Sequence, residues 1–124
     1  MKTRSNHLIQ IVFMYIIMGL SGFFSWKYMP VEEEVFRFFA AHIVMTINCF
    51  LFSLLKNNSS VYDAFWSVIP FFFCVLWAII HSETLNVFHI LTLGTVSLWS
   101  WRLTLNWARS WDGFGHEDWR YIDL

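Results

Sequence analysis

Four stretches of this chain, residues 8–26, 38–55, 64–82 and 85–101, contain no Asp, Glu, Lys or Arg. A helix that crosses a bilayer needs about 20 mostly apolar residues, with a range of roughly 17–25. Within lipid, backbone polar groups must be satisfied internally, which leaves the helix as the form for such runs. The four stretches occupy most of the 124 residues, so no soluble domain fits between them. The expected fold is all-α: a polytopic transmembrane helical bundle of about four spans, near residues 8–28, 35–55, 62–82 and 85–108. Composition agrees, because 14% of the residues are charged and 57% are hydrophobic, whereas soluble domains carry about 25% charged residues. A net charge of −1 gives no basic surface for nucleic acid. The partner implied by the bulk of the chain is the lipid bilayer.

Lys2 and Arg4 precede the first span in the manner of a signal peptide. The apolar run is too long for one and no small-x-small site follows, so an uncleaved first helix is expected. The distribution of basic residues in short loops sets orientation. With the N-terminus inside, Lys2, Arg4, Lys56, Arg102, Arg109 and Arg120 are cytoplasmic, and Lys27 and Arg37 are outside. Both termini are then cytoplasmic. A bacterial inner membrane and an endoplasmic reticulum both suit this arrangement. Glu32, Glu33 and Glu34 follow Pro30 at the start of the second helix, where acidic groups meet the positive end of the helix dipole. Asn57-Asn58-Ser59-Ser60 holds two overlapping glycosylation sequons, which on this topology face the cytoplasm and stay unmodified.

The polar residues at the inner side have bland readings and sharper ones. Ser60 and Asp63 match a capping box at the start of the third helix, and Trp66 suits an interfacial anchor. That reading leaves open whether Asp63 also faces a polar cavity. Arg102, Asn106 and Arg109 are spaced i, i+4, i+7 and share one helix face. They are either snorkelling arginines within a tryptophan belt or a cationic stripe for a phosphate or another anion. Gly113 and Gly115 are expected to bend the chain and end the fourth helix. The charged segment after them is either a solvated tail or a cofactor-contacting loop. His116 lacks a second ligand at metal-binding spacing, so no metal is assigned. Cys49 and Cys74 lie in apolar runs and read as small buried hydrophobes. His42 and His89 lie early in the second and fourth spans; two haem ligands would need similar depth, but no local signature supports haem.

Three strings in order, NNSSVYDAFWS (57–67), LWSWRLTLNWARSW (98–111) and GFGHEDWRYIDL (113–124), carry a resemblance. Together they resemble the domain-of-unknown-function branch of the steroid 5α-reductase-like membrane proteins. That branch is related more distantly to isoprenylcysteine carboxyl methyltransferases. The resemblance covers roughly residues 56–124, while residues 1–55 match only in hydropathy. It implies a nicotinamide cofactor, NADPH, held at the cytoplasmic side. It also implies hydride transfer to a carbon–carbon double bond of a lipid-like substrate: a steroid, an isoprenoid or a fatty acyl group.

Asp63 and Trp66 match the first motif, and Arg102, Asn106, Arg109, Glu117, Asp118, Arg120 and Tyr121 match the second. Asp63 and the seven second-motif residues are the cofactor-binding candidates that the resemblance implies. Tyr121 is also the one candidate proton donor, since a phenol can protonate an enolate-like intermediate. Family members continue for several more spans and carry a motif with arginine, histidine and asparagine that this chain lacks. The expectation is therefore a truncated N-terminal half, inactive alone, that needs its C-terminal half or a partner chain. Two alternatives are an S-adenosylmethionine-dependent membrane methyltransferase and a non-enzymatic four-helix scaffold subunit.

Overall fold

A computed structural model describes residues 2–116. It contains four α-helices and, among the described residues, no strand: α1 (Lys2–Tyr28), α2 (Glu34–Lys56), α3 (Tyr62–Ile80) and α4 (Val87–Ser110). Short 3-10 turns, Ser59–Val61 and Ser82–Thr84, precede α3 and α4. The all-helical expectation holds, and each expected span coincides with one helix to within a few residues. Three helices, α1, α2 and α3, are long and apolar enough to cross a membrane. At 24 residues α4 is long enough, but its many hydroxyl, amide and basic groups keep it below the same apolarity. The chain divides into two compact units, Met1–Tyr62 with the segment from Asp112, and Asp63–Trp111.

The first unit is built on an antiparallel hairpin of α1 and α2. Its seam is one stripe per helix: Ile11, Met14 and Met18 on α1 face Ala41, Met45, Cys49 and Ser53 on α2, all buried. Approach is close at Gly22, where an added Cβ would stand 2.5 Å from Met45 Sδ. Small residues at such crossings let helix backbones pack without a hydrophobic driving force. Beside the seam Asn48 Nδ2 donates to Ser21 Oγ at 2.8 Å. The outward positions carry Ile9, Phe13, Ile16, Leu20 and Phe24 on α1 and Phe39, Ile47 and Phe50 on α2, all exposed. A contiguous exposed apolar surface of this extent suits lipid, not water. With three apolar helices of spanning length, the chain has the make-up of a membrane protein.

The end at Tyr28 is closed by Arg37. Its Nε donates to Trp26 O at 2.9 Å and its terminal nitrogen to Lys27 O at 3.1 Å. Its guanidinium also lies 4.4 Å from the Trp26 ring centroid. The last carbonyls of α1 have no partner within the helix, and one arginine supplies donors to two of them. Of the three consecutive glutamates, Glu34 lies in the first turn of α2 and Glu33 is its N-cap residue, without a side-chain capping bond.

The second unit is the antiparallel pair α3 and α4. Ser67 meets Thr104 near one end, and Trp77 meets the His89 ring near the other. Asn86 caps α4: its side chain accepts from the N–H groups of Phe88 and His89, and His89 Nδ1 accepts from Asn86 N–H. His89 thus has a helix-capping role.

Candidate functional site

In the first unit, the ends of α1 and α2 near His7 and Lys56 form a seat for the loop Gly113–His116. Asn58 is its centre. It is 2% exposed, and its Nδ2 donates to Phe114 O at 3.2 Å and to His116 O at 3.0 Å. Its Oδ1 accepts from Ser60 N–H at 3.0 Å. This network fixes the amide orientation, because two carbonyls require donors and one N–H requires an acceptor. Asn58, two positions before Ser60, is the N-cap of the 3-10 turn that precedes α3. Ser60 lies inside the 3-10 turn and donates the N–H that a capping-box Asp63 would have accepted. Neither amide hydrogen of Asn58 is available for glycan attachment.

The loop closes on itself and on α1. His116 N–H donates to Gly113 O at 3.2 Å, and Phe114 N–H donates to His7 Nδ1 at 3.2 Å. The Phe114 ring lies 4.8 Å from His7 and 6.0 Å from Phe52. Lys56 Nζ stands 5.3 Å from the Phe114 centroid and donates to Gln10 Oε1 at 2.6 Å, so the ring faces a cation as well as apolar neighbours. Gly113 has φ +102, and an added Cβ would stand 2.6 Å from His7 Nδ1. Gly115 has open space. Only the first of these two glycines is required by the bend.

In the second unit, Asp63 lies half-buried in the first turn of α3, where a carboxylate is favoured by the helix dipole. Trp66 is exposed. Arg102, Asn106 and Arg109 are exposed along the last turns of α4, and the Trp107 and Trp111 rings stack at 5.1 Å. At about 100° per residue the three polar side chains fall within about 60° of one another on the helix. Glu117, Asp118, Arg120 and Tyr121 lie outside the described residues.

Between α3 and α4 lies an open, apolar pocket of about 150 Å³ lined by Val68, Phe71, Ser100, Trp101 and Thr104. The arginine stripe lies on roughly the opposite side of α4 from Ser100 and Thr104, about 160° away by helical rotation. Among the described residues, no group of three or more His, Cys, Asp or Glu is placed to hold a metal ion.

Neither the loop seat nor the cavity is evident from motif reading. Asn58 reads as a sequon and Lys56 as a topology signal, and His7 belongs to no motif. Small polar residues at i, i+4 within apolar helices, here Ser100 and Thr104, were the available signal for the cavity.

A family model described as "Protein of unknown function (DUF1295)" matches residues 49–124. No curated protein and no solved structure matches the chain. The match begins in the last turns of α2 and takes in Phe52, Lys56, Asn58, the arginine stripe and the loop, while His7 and Gln10 precede it. Covering more than half of the sequence, it shows that the chain belongs to the DUF1295 family.

Proposed function

We propose that the chain is the cofactor-side part of a membrane reductase that transfers hydride to a carbon–carbon double bond of a lipid-like substrate. The observation that carries this reading is the stripe Arg102, Asn106 and Arg109. All three are exposed, on one face of the last turns of α4, inside the family-matched segment. Two guanidiniums and an amide in this arrangement fit the diphosphate of a nicotinamide nucleotide, because arginine pairs bidentately with phosphate oxygens. Among the described residues the fit reaches the phosphates only. The resemblance in the tail adds Glu117, Asp118 and Arg120 for the ribose side and Tyr121 as proton donor.

When bound, the nucleotide supplies the hydride. The residues of the chain hold its anionic part at the membrane surface. On the proposed orientation this end of α4 is cytoplasmic. The resemblance also calls for a further motif with arginine, histidine and asparagine, supplied by additional spans or by a partner chain.

The test is NADPH binding to full-length protein in nanodiscs, read by energy transfer from tryptophan to the nicotinamide. Replacing Arg102 and Arg109 together by Gln is expected to weaken binding at least about tenfold, since hydrogen bonds to charged groups contribute about 1.5–3 kcal/mol each. Retention of S-adenosylmethionine in place of NADPH would move the assignment to methyl transfer. Retention of neither would overturn it.

A further inference from the structure

The seat of the loop Gly113–His116 contains one hydrogen bond whose acceptor is a titratable side chain. Phe114 N–H donates to His7 Nδ1 at 3.2 Å. Nδ1 accepts only while it carries no proton, so the held loop contains the neutral imidazole with its hydrogen on Nε2. The bond also fixes the ring, because a flipped imidazole would set a carbon against the amide. The loop backbone is close to the same edge of the ring: a Cβ added at Gly113 would stand 2.6 Å from Nδ1. The bonds from the Asn58 amide to the carbonyls of Phe114 and His116, at 3.2 and 3.0 Å, involve groups that do not titrate. Charged and titratable groups come from each element around His7. Arg4 lies one turn before it on α1, Lys56 is on α2, and Asp112 and His116 are at the two ends of the loop. Lys56 Nζ stands 5.3 Å from the centroid of the Phe114 ring, which lies 4.8 Å from His7. A charged His7 would be a second cation against that ring. The ring attracts an imidazolium, but this attraction is shared with Lys56 and supplies no acceptor for Phe114 N–H.

We propose that His7 is an acid-sensitive catch for this loop, closed on the neutral imidazole and released when the imidazole takes up a proton. Protonation turns the acceptor at Nδ1 into a donor and sets it against the Phe114 N–H, a pairing that cannot form a hydrogen bond. Closure and proton uptake therefore exclude each other. The loop is held at high pH and let go as the pH falls through the range in which histidines titrate, about pH 5 to 8. Ordinary carboxylates change charge below that range and lysines and arginines above it, so within it His116 is the one other group of the seat to control for. On the proposed orientation the seat is on the cytoplasmic side, and the signal is cytoplasmic acidity. The sequence after the loop carries Glu117, Asp118, Arg120 and Tyr121, so acid sets whether the base of that segment is fastened to α1. The catch does not rest on the hydride-transfer reading, and its test needs no cofactor.

The experiment is electron paramagnetic resonance of full-length protein in nanodiscs. A nitroxide is attached through Gly115→Cys, the loop position with open space around an added Cβ. The two native thiols, Cys49 and Cys74, are replaced by Ala. One proton taken up on opening changes the open-to-closed ratio by up to about tenfold per pH unit. The ratio of mobile to immobilised label is therefore expected to rise at least about tenfold between about pH 8 and about pH 5, along a one-proton curve. His7→Gln offers an amide oxygen to the same N–H and gains no proton, so its loop should stay immobilised at both ends of the range. His116→Gln should keep the transition. Equal mobility at both pH values would overturn the proposal. So would a transition that survives His7→Gln, or one that is lost in His116→Gln. If the cysteine-substituted background does not fold, hydrogen exchange of the peptide holding residues 113–116 replaces the label. Measured on the unaltered protein and on His7→Gln, and scaled to the intrinsic rate at each pH, it is read by the same outcomes.

Discussion

The two helical pairs treat their polar groups in opposite ways. At the His7 end of α1 and α2, the two Asn58 amide hydrogens, its carbonyl, the Ser60 N–H and the Phe114 N–H all have partners at 3.0–3.2 Å. Between α3 and α4, one hydroxyl pair is closed at 2.8 Å, and Ser100, one turn earlier on the same face, is buried with no partner for its Oγ among the described residues. Both regions bury polar atoms in apolar surroundings, where an unmet donor or acceptor is expensive. A network with its bonds made holds a loop in place. A group left over holds nothing in place. The comparison assigns a held loop to the first region and an unmet hydroxyl in a looser helix pair to the second, and substitutions can break either half.

The largest effect is expected at Asn58. Asn58→Ala removes donors from two loop carbonyls and an acceptor from Ser60, and costs about 1–3 kcal/mol. Asn58→Asp is worse, because a carboxylate oxygen then faces the carbonyls of Phe114 and His116 and a charge is buried in place of a donor. Asp is expected to lower the unfolding midpoint in mixed dodecyl maltoside–SDS micelles further than Ala. It should also open the chain to proteolysis near Gly113. An Asp variant as stable as the unaltered protein would show that the loop is not held by this amide.

Much of the fold was legible because a bilayer leaves few choices: apolar runs of spanning length become helices, and the described helices sit where those runs lie. The arginine stripe was legible for the same reason, since i, i+4, i+7 spacing on a helix fixes a common face. The seat for the loop was not. Asn58 and Phe114 are 56 positions apart, and no local pattern announces that a sequon asparagine will hold a distant turn. Ser60 and Asp63 satisfied a capping pattern, yet a 3-10 turn intervenes and gives Ser60 N–H to Asn58. Likewise the spacing of Ser100 and Thr104 was visible, but which hydroxyl would be left without a partner depends on Ser67 across the helix pair.

A middle-sized effect separates the two loop glycines. Gly113→Ala places a side chain at φ +102 and within 2.6 Å of His7 Nδ1, whereas Gly115 has nothing within 4 Å of an added Cβ. A left-handed residue other than glycine costs roughly 1–2 kcal/mol before any steric term. Gly113→Ala is therefore expected to destabilise by at least about that amount, and Gly115→Ala by less than about 0.5 kcal/mol, in the same micellar titration. Equal effects at the two positions would mean that the turn does not press on His7.

The smallest effect tests the α3–α4 pair most directly. Ser67→Ala deletes the oxygen that accepts from Thr104, and interhelical hydrogen bonds in membrane proteins average about 0.6 kcal/mol. A loss of that order is expected. Ser100→Ala deletes a buried hydroxyl that has no partner to lose, so stability should stay level or rise by up to about 1 kcal/mol. The two serines lie within one cluster and differ by the same single atom, so any contrast between them reports hydrogen bonding alone. If Ser100→Ala is instead the more damaging change, its hydroxyl is satisfied in the folded protein, by water or by the backbone, and the contrast between the two helical pairs fails.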